Sequence, residues 1–246
     1  MIHDLIDRMV RLSVEMSETD PRRLFHDTYL RTTRAVASEV HEGRFADPEW
    51  VERWDVAFAS LYLDALEAWR GGLATPGPWQ VAFDAGDGPR LPPLRLVLLG
   101  MNAHINYDLP QALVTVISDE EFEDAEVIAR RELDHRRVDG ILASRVAAED
   151  VELKKVERPG DRTWIDRLLT PLNRLGTKRF LAEAREKVWR NARILAEARR
   201  SGTYPKRLAE LERLSQRRIE DLVRPGQVIR ELTRNGFGVA LEDARR

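Results

Sequence analysis

Apolar residues recur at three- and four-residue spacing through most of the chain, and the pattern breaks at Asp, Gly and Pro. Val/Ile alternation at spacing two is rare, so the pattern predicts an all-α, single-domain multi-helix bundle over residues 1–246. A short opening helix is expected to end before Asp20-Pro21, with Asp20 as cap and Pro21 in the first turn of a helix reaching about Val40. Asp47-Pro48 repeats that start signal. It opens a helix with Trp54, Phe58, Leu61, Tyr62 and Ala65 on one stripe, which stops at Gly71-Gly72. Residues 73–93 hold five prolines and three glycines and read as a loop, an irregular crossing or a short β-hairpin. The densely apolar stretch 94–116 is expected to be the central buried helix, bent near Pro110. A helix over 119–148 follows, then helices near 162–172, 177–200 and 204–224, and a short capping helix from Gln227. No repeat of solenoid type is present.

Composition narrows the class. The 246 residues are 43% hydrophobic and 33% charged, which is enough apolar material for a core and excludes a wholly disordered chain. No apolar run approaches the roughly 20 residues of a membrane span. The opening MIHDLIDRMV carries acids where a signal peptide carries bases, so a cytoplasmic location is expected. With no Cys, any metal has to be held by His, carboxylate, Tyr or water. Charge is uneven: 16 basic and 28 acidic side chains lie in residues 1–150, against 24 and 14 in 151–246. Either a basic C-terminal part meets an anionic partner, or two sets of helices neutralise each other. The bases alternate with acids at helical spacing and no aromatic cluster accompanies them, so nucleic acid is not the expected partner.

The candidate chemistry sits in the most apolar segment, where GMNAHINYDLP places His104 and Asp108 four residues apart on one face. Burying both costs several kcal/mol, on the order of the penalty for unpaired polar groups, unless they bond each other or a third group. The pair serves helix packing, metal binding or catalysis. The spacing recurs at His135 and Asp139, and two neighbouring antiparallel helices are expected to aim both pairs at one point. Two imidazoles and two carboxylates suit zinc, manganese or iron. His26 lies one turn from Tyr29 and is read either as proton shuttle with a phenol anion contact or as a core histidine. Asp55 and Tyr62 on the next helix are expected to enter the same cavity, Tyr62 as a substrate contact. Asn102 and Asn106 flank His104 as substrate contacts or orienting groups. Arg185 and Trp189 are expected to close the far side, as an anion contact and a substrate wall, or else as a surface ion pair and a core ring. His3 and His41, beside charged residues, are read as surface groups.

The chain has no P-loop, dinucleotide fingerprint, nucleophile elbow or His-Glu-x-x-His, and Glu132-x-x-His135 has no second copy of the kind a di-iron bundle needs. The block MNAHINYDLP, with FHDTYLRTT before it and the His135 to Asp139 pair after it, resembles a family of uncharacterised bacterial proteins, domain-of-unknown-function family 5995. The best blocks are 22–40, 50–70, 94–117, 130–143 and 178–198. More distantly, the paired His-x-x-x-Asp motifs look like those of helical zinc-dependent phospholipase C and single-strand nuclease enzymes. That likeness implies His104, Asp108, His135 and Asp139 as metal ligands, with His26 and Asp55 as additions; the chain lacks the N-terminal tryptophan and the further histidines of those enzymes.

The resulting expectation is a divalent metal (Zn, Fe or Mn) that activates water against an ester or phosphoester, with His26, Tyr29 and Arg185 assisting. With iron the same ligands support an oxygenase. The alternative is a metal-free helical protein binding a small ligand or a partner, as a monomer or homodimer.

Overall fold

The structure is a computed structural model that describes residues 1–88, 91, 93–156, 164–224 and 236–243; the side chains of 93, 94, 143, 145–156 and 164–181 lie outside the description. Among the described residues there are helices and no strands, as the apolar periodicity predicts. In α1 (Ile2–Glu15), Ile2, Leu5, Met9 and Leu12 form the buried stripe. Asp20 Oδ1 accepts the Arg22 N–H at 3.0 Å, but Pro21 lies in the turn and α2 begins later, at Arg23, and runs to His41. The cap of α3 (Pro48–Arg70) is as expected: Asp47 accepts the Trp50 N–H at 3.0 Å and Pro48 opens the first turn. Gly72, at φ 67°, ends it, donating to Trp69 O while Leu73 N reaches back to Ala68 O.

Within residues 73–93, where a loop or hairpin is expected, Gly77–Asp84 form a helix, α4, while 73–76 and 85–88 are irregular. Pro76 is its N-cap and Pro78 sits in its first turn, where a missing N–H costs nothing. Glu212 accepts the free Gly77 N–H at 2.8 Å, and Trp79 and Phe83 are buried by the packing that makes so short a helix stable.

The central segment consists of α5 (Pro93–Ala103), a π-helical turn (His104–Asp108) and α6 (Leu109–Val116). The expected bend at Pro110 takes a specific form. Pro110 has no N–H for the Asn106 carbonyl, and the Leu109 N–H bonds His104 O, five residues back. The segment touches α2, α3, α9 and α10. The expected 119–148 helix is two: α7 (Asp119–Glu123), with a Ser118–Glu121 capping box, and α8 (Ala125–Val156). Asp124 divides them, its Oδ1 accepting the N–H groups of Glu126 and Val127. One helix, α9 (Trp164–Arg200), stands where two were expected, with Pro171 and Gly176 inside it; a proline deletes one amide donor, a local loss that the turns on either side carry. The last helix is α10 (Tyr204–Val223). The capping helix expected from Gln227 falls partly outside the described residues, and 236–243 have no regular secondary structure, with a bend at Phe237.

One hydrophobic core joins these elements, with Met9, Trp50, Tyr62, Leu63, Leu66, Trp79, Leu99 and Leu113 each essentially inaccessible. Part of the uneven charge is paired within the fold. Arg185, Arg193, Arg199 and Arg200 of α9 pair with Asp139, Glu132, Asp119 and Glu123 respectively, each joining the basic part of the chain to the acidic part. No helix is long and apolar enough to cross a membrane among the described residues.

Candidate functional site

The π-turn positions the site. It carries His104 and Asp108, 3% and 1% exposed, with His104 Nδ1 2.8 Å from Asp108 Oδ2. The same carboxylate oxygen accepts the Trp79 Nε1–H at 2.8 Å, so α4 fixes the dyad from behind. Nothing in the local sequence marks Trp79, which sits among prolines that read as a loop. Phe58 stacks on the imidazole at 3.6 Å between ring centres and 5° between planes, and Tyr29 meets it edge-on at 4.6 Å.

A cavity of about 60 Å³ opens at this point between α2, α3, α5 and α8, lined on one side by Phe25, Tyr29, Trp54, Asp55, Phe58 and His104 and closed by aliphatic side chains including Val138 and Leu142. Its walls are almost wholly apolar. Yet His104 Nε2, Tyr29 OH, Trp54 Nε1 and Asp55 Oδ2 are buried and make no hydrogen bond of good geometry among the described residues, Tyr29 OH having the Thr33 hydroxyl beside it. Each such atom costs on the order of 1–3 kcal/mol, and native interiors rarely gather four around one space.

Burial sets the protonation. It pushes the Asp108 carboxyl far above the usual carboxylate range, opposed by the Trp79 hydrogen bond, and pushes His104 well below the usual histidine range. The pair is therefore neutral and one proton lies between Asp108 Oδ2 and His104 Nδ1; Nε2 is a donor when that proton belongs to the carboxyl and an acceptor when it belongs to the imidazole. Burial also raises Asp55 to about 7 and holds the Tyr29 phenol well above its ordinary value, the latter with help from the Asp55 and Asp108 charges. At neutral pH the cavity therefore offers the Tyr29 and Trp54 donors, the free nitrogen of His104 and one carboxyl near its midpoint of titration.

The remaining residues singled out from the sequence fall elsewhere. His26 is fully buried, its Nε2 2.8 Å from Met9 O and its Nδ1 2.9 Å from Tyr62 OH. A carbonyl only accepts, so Nε2 carries the proton and Nδ1 receives the Tyr62 hydroxyl; the histidine and Tyr62 fasten α1, α2 and α3 together. His135 and Asp139 do not join His104 and Asp108, and among the described residues no three His, Asp or Glu side chains converge as a metal ligand set would. Instead Trp189 Nε1 donates to His135 Nδ1 at 3.0 Å, His135 Nε2 faces Asp139 at 3.6 Å, and Asp139 pairs with Arg185. Burial lowers His135 to about 3, with Arg185 and Arg136 adding to it, and raises Asp139 to about 6 against the pull of Arg185. This second cluster backs onto the cavity through Trp54, 5.0 Å from the His135 ring. Asn102 and Asn106 bond the backbone of the C-terminal segment.

An all-helical bundle whose central helix is interrupted by a buried His–Asp turn at an apolar cavity is the class that fold and site define. Residues 2–225 match the model of a family of unknown function, DUF5995, and the chain belongs to that family. No curated protein and no solved structure matches it, and the likeness to zinc-dependent phospholipases has no counterpart in these comparisons.

Proposed function

We propose that the cavity beside His104 binds a small, mainly apolar molecule through a carbonyl or carboxylic acid oxygen, and that Asp55 and the His104–Asp108 dyad equip it for proton transfer to or from that molecule. The observation that carries this reading is the set of four unpartnered polar atoms on one apolar cavity. Tyr29 OH and Trp54 Nε1 are donors, and His104 Nε2 is a third when the Asp108 carboxyl donates to Nδ1, so an acceptor oxygen satisfies them, while the aromatic walls take the hydrocarbon body. Asp55, with a pKa of about 7, is matched to a general base at physiological pH. An apolar pocket with a carboxylate base and neutral donors is the arrangement suited to removing a proton next to a carbonyl.

Metal-dependent hydrolysis of an ester or phosphoester, or oxidation at iron, asks His104, Asp108, His135 and Asp139 to share an ion; the present reading needs none. Titration of the protein with ketones and carboxylic acids of about two to four carbons, the size that a cavity of about 60 Å³ admits, followed by tryptophan fluorescence and thermal shift, tests it. Saturable binding is expected, weakened about five- to tenfold by Tyr29→Phe, the effect of losing one hydrogen bond. Stoichiometric zinc, iron or manganese in protein purified without tag or chelator, lost in both His104→Ala and His135→Ala, would replace this reading with the metal-dependent one.

A further inference from the structure

The C-terminal segment 237–241 is held as a bound peptide is held. Asn106 clasps it at two points: its Nδ2 donates to Phe237 O at 3.1 Å and its Oδ1 accepts the Val239 N–H at 3.0 Å. Two residues on, Asn191 repeats the clasp, donating to Val239 O at 3.0 Å and accepting the Leu241 N–H at 2.8 Å. Each asparagine amide thus reads a carbonyl and the N–H two residues later, the pair of groups that a residue of a neighbouring parallel strand would read. Asn102 adds a second donor to Phe237 O, Lys187 Nζ donates to Gly238 O, and Glu183 accepts the Phe237 N–H at 2.8 Å. These contacts all go to the main chain, so the polar part of the groove is indifferent to sequence.

The selective part is apolar. Phe237, Val239 and Leu241 are buried while Ala240 is partly exposed, the alternation that a locally extended chain gives beyond the bend at Phe237. Gly238 lies so close to α9 that an added Cβ would stand 2.8 Å from Lys187 Cδ and 3.2 Å from Ala184 Cα. The three asparagines are wholly buried and lie inside the region matched by the family, residues 2–225, whereas the segment they hold lies beyond it.

We propose that the groove between the π-turn and α9 is a peptide-recognition site, occupied in cis by residues 237–241, and that it accepts in trans an extended polypeptide segment of the pattern apolar-Gly-apolar-x-apolar. The occupant is a backbone presented as a strand, read by helix side chains in place of a sheet edge.

The test uses a fluorescent peptide with the sequence of residues 235–243 and the full-length chain, wild type and Phe237→Ala/Leu241→Ala. The wild-type tail competes at the high effective concentration of a tethered ligand, so the double variant should bind the peptide at least about tenfold more tightly. Binding should vanish when Gly238 of the peptide becomes Val, and when Asn106→Ala and Asn191→Ala are added to the double variant. A double variant that keeps its helical circular dichroism and binds no peptide overturns the proposal. Hydrogen exchange on the wild-type chain decides the case if the double variant unfolds. Val239 and Leu241 amides exchanging faster than those of α3 and α6 show a detachable segment; exchange only with the global core shows a fixed part of the fold and overturns the proposal.

Discussion

The ring of Phe58 lies flat on the imidazole of His104, with 3.6 Å between centres and 5° between planes. A stacked apolar ring strips water from the histidine, and burial is the cause of its lowered pKa. Phe58→Ala should therefore raise the pKa of His104 toward its ordinary value, measured from the imidazole proton resonances against pH. An unmoved resonance would show that other neighbours carry the desolvation.

Asp55 makes the site a liability to the fold. Its pKa is about 7 in the folded chain against an ordinary 3.8. Between those values the unfolded chain has released its proton and the folded chain has not, so stability falls as pH rises from about 4 through 7. Asp55→Asn mimics the protonated group. It should stabilise the protein above pH 7 by something on the order of 1–4 kcal/mol, with the gain vanishing below pH 4. Urea melts across pH check the sign, and the same variant should lose any proton-transfer activity.

The histidines act in the opposite direction. His26 and His135 are held neutral by burial, the latter near 3. As pH drops below the ordinary value of about 6.5, the unfolded chain takes up protons that the folded chain refuses, and stability is lost through the folded pKa. His26→Ala strands Met9 O and Tyr62 OH, and should cost about 2–5 kcal/mol while leaving ligand affinity per folded molecule unchanged. Equal losses of affinity and stability would place His26 in the site after all.

How much of this was legible follows from the range of each cause. The Asp47-Pro48 start and the Gly71-Gly72 stop are set by neighbours in sequence, and both stand where the pattern places them. The His104–Asp108 pair is also local, being fixed by four-residue spacing. In contrast, α4 was hidden because Pro76 and Pro78 break helices in general but favour a first turn in particular, and only the packing of Trp79 and Phe83 decides between the two. Convergence of the two His–Asp pairs was a tertiary expectation, and no spacing could reveal that Trp189 lies opposite His135. Asn102 and Asn106 were noticed for their place beside His104; their partner lies more than 130 residues away, beyond any local pattern.

Gly100 supplies a test of the cavity wall. A Cβ at this position would stand 2.6 Å from the Phe25 ring, which packs against Tyr62, Trp79 and His104 and lines the cavity. Gly100→Ala should push Phe25 inward, costing about 1–3 kcal/mol from overpacking despite the better helix propensity of alanine. Ligand binding should fall further than stability predicts. Calorimetric titration beside thermal melts separates the two effects.

The C-terminal segment and the dyad share the π-turn, and that connection is testable. Asn106 lies between His104 and Asp108 in sequence, points to the tail, and holds both Phe237 O and Val239 N. Asn191 holds the same tail from α9, outside the turn. Releasing the segment through either asparagine should expose Val239 and Leu241 to solvent exchange. Asn106→Ala also removes a restraint on the turn, and should shift the His104 resonances and weaken ligand binding several-fold, a coupling of about 1 kcal/mol. Asn191→Ala should release the tail to a similar extent and leave His104 where it is. Identical effects of the two variants on His104 would mean that the tail as a whole, rather than the asparagine within the turn, sets the geometry of the dyad.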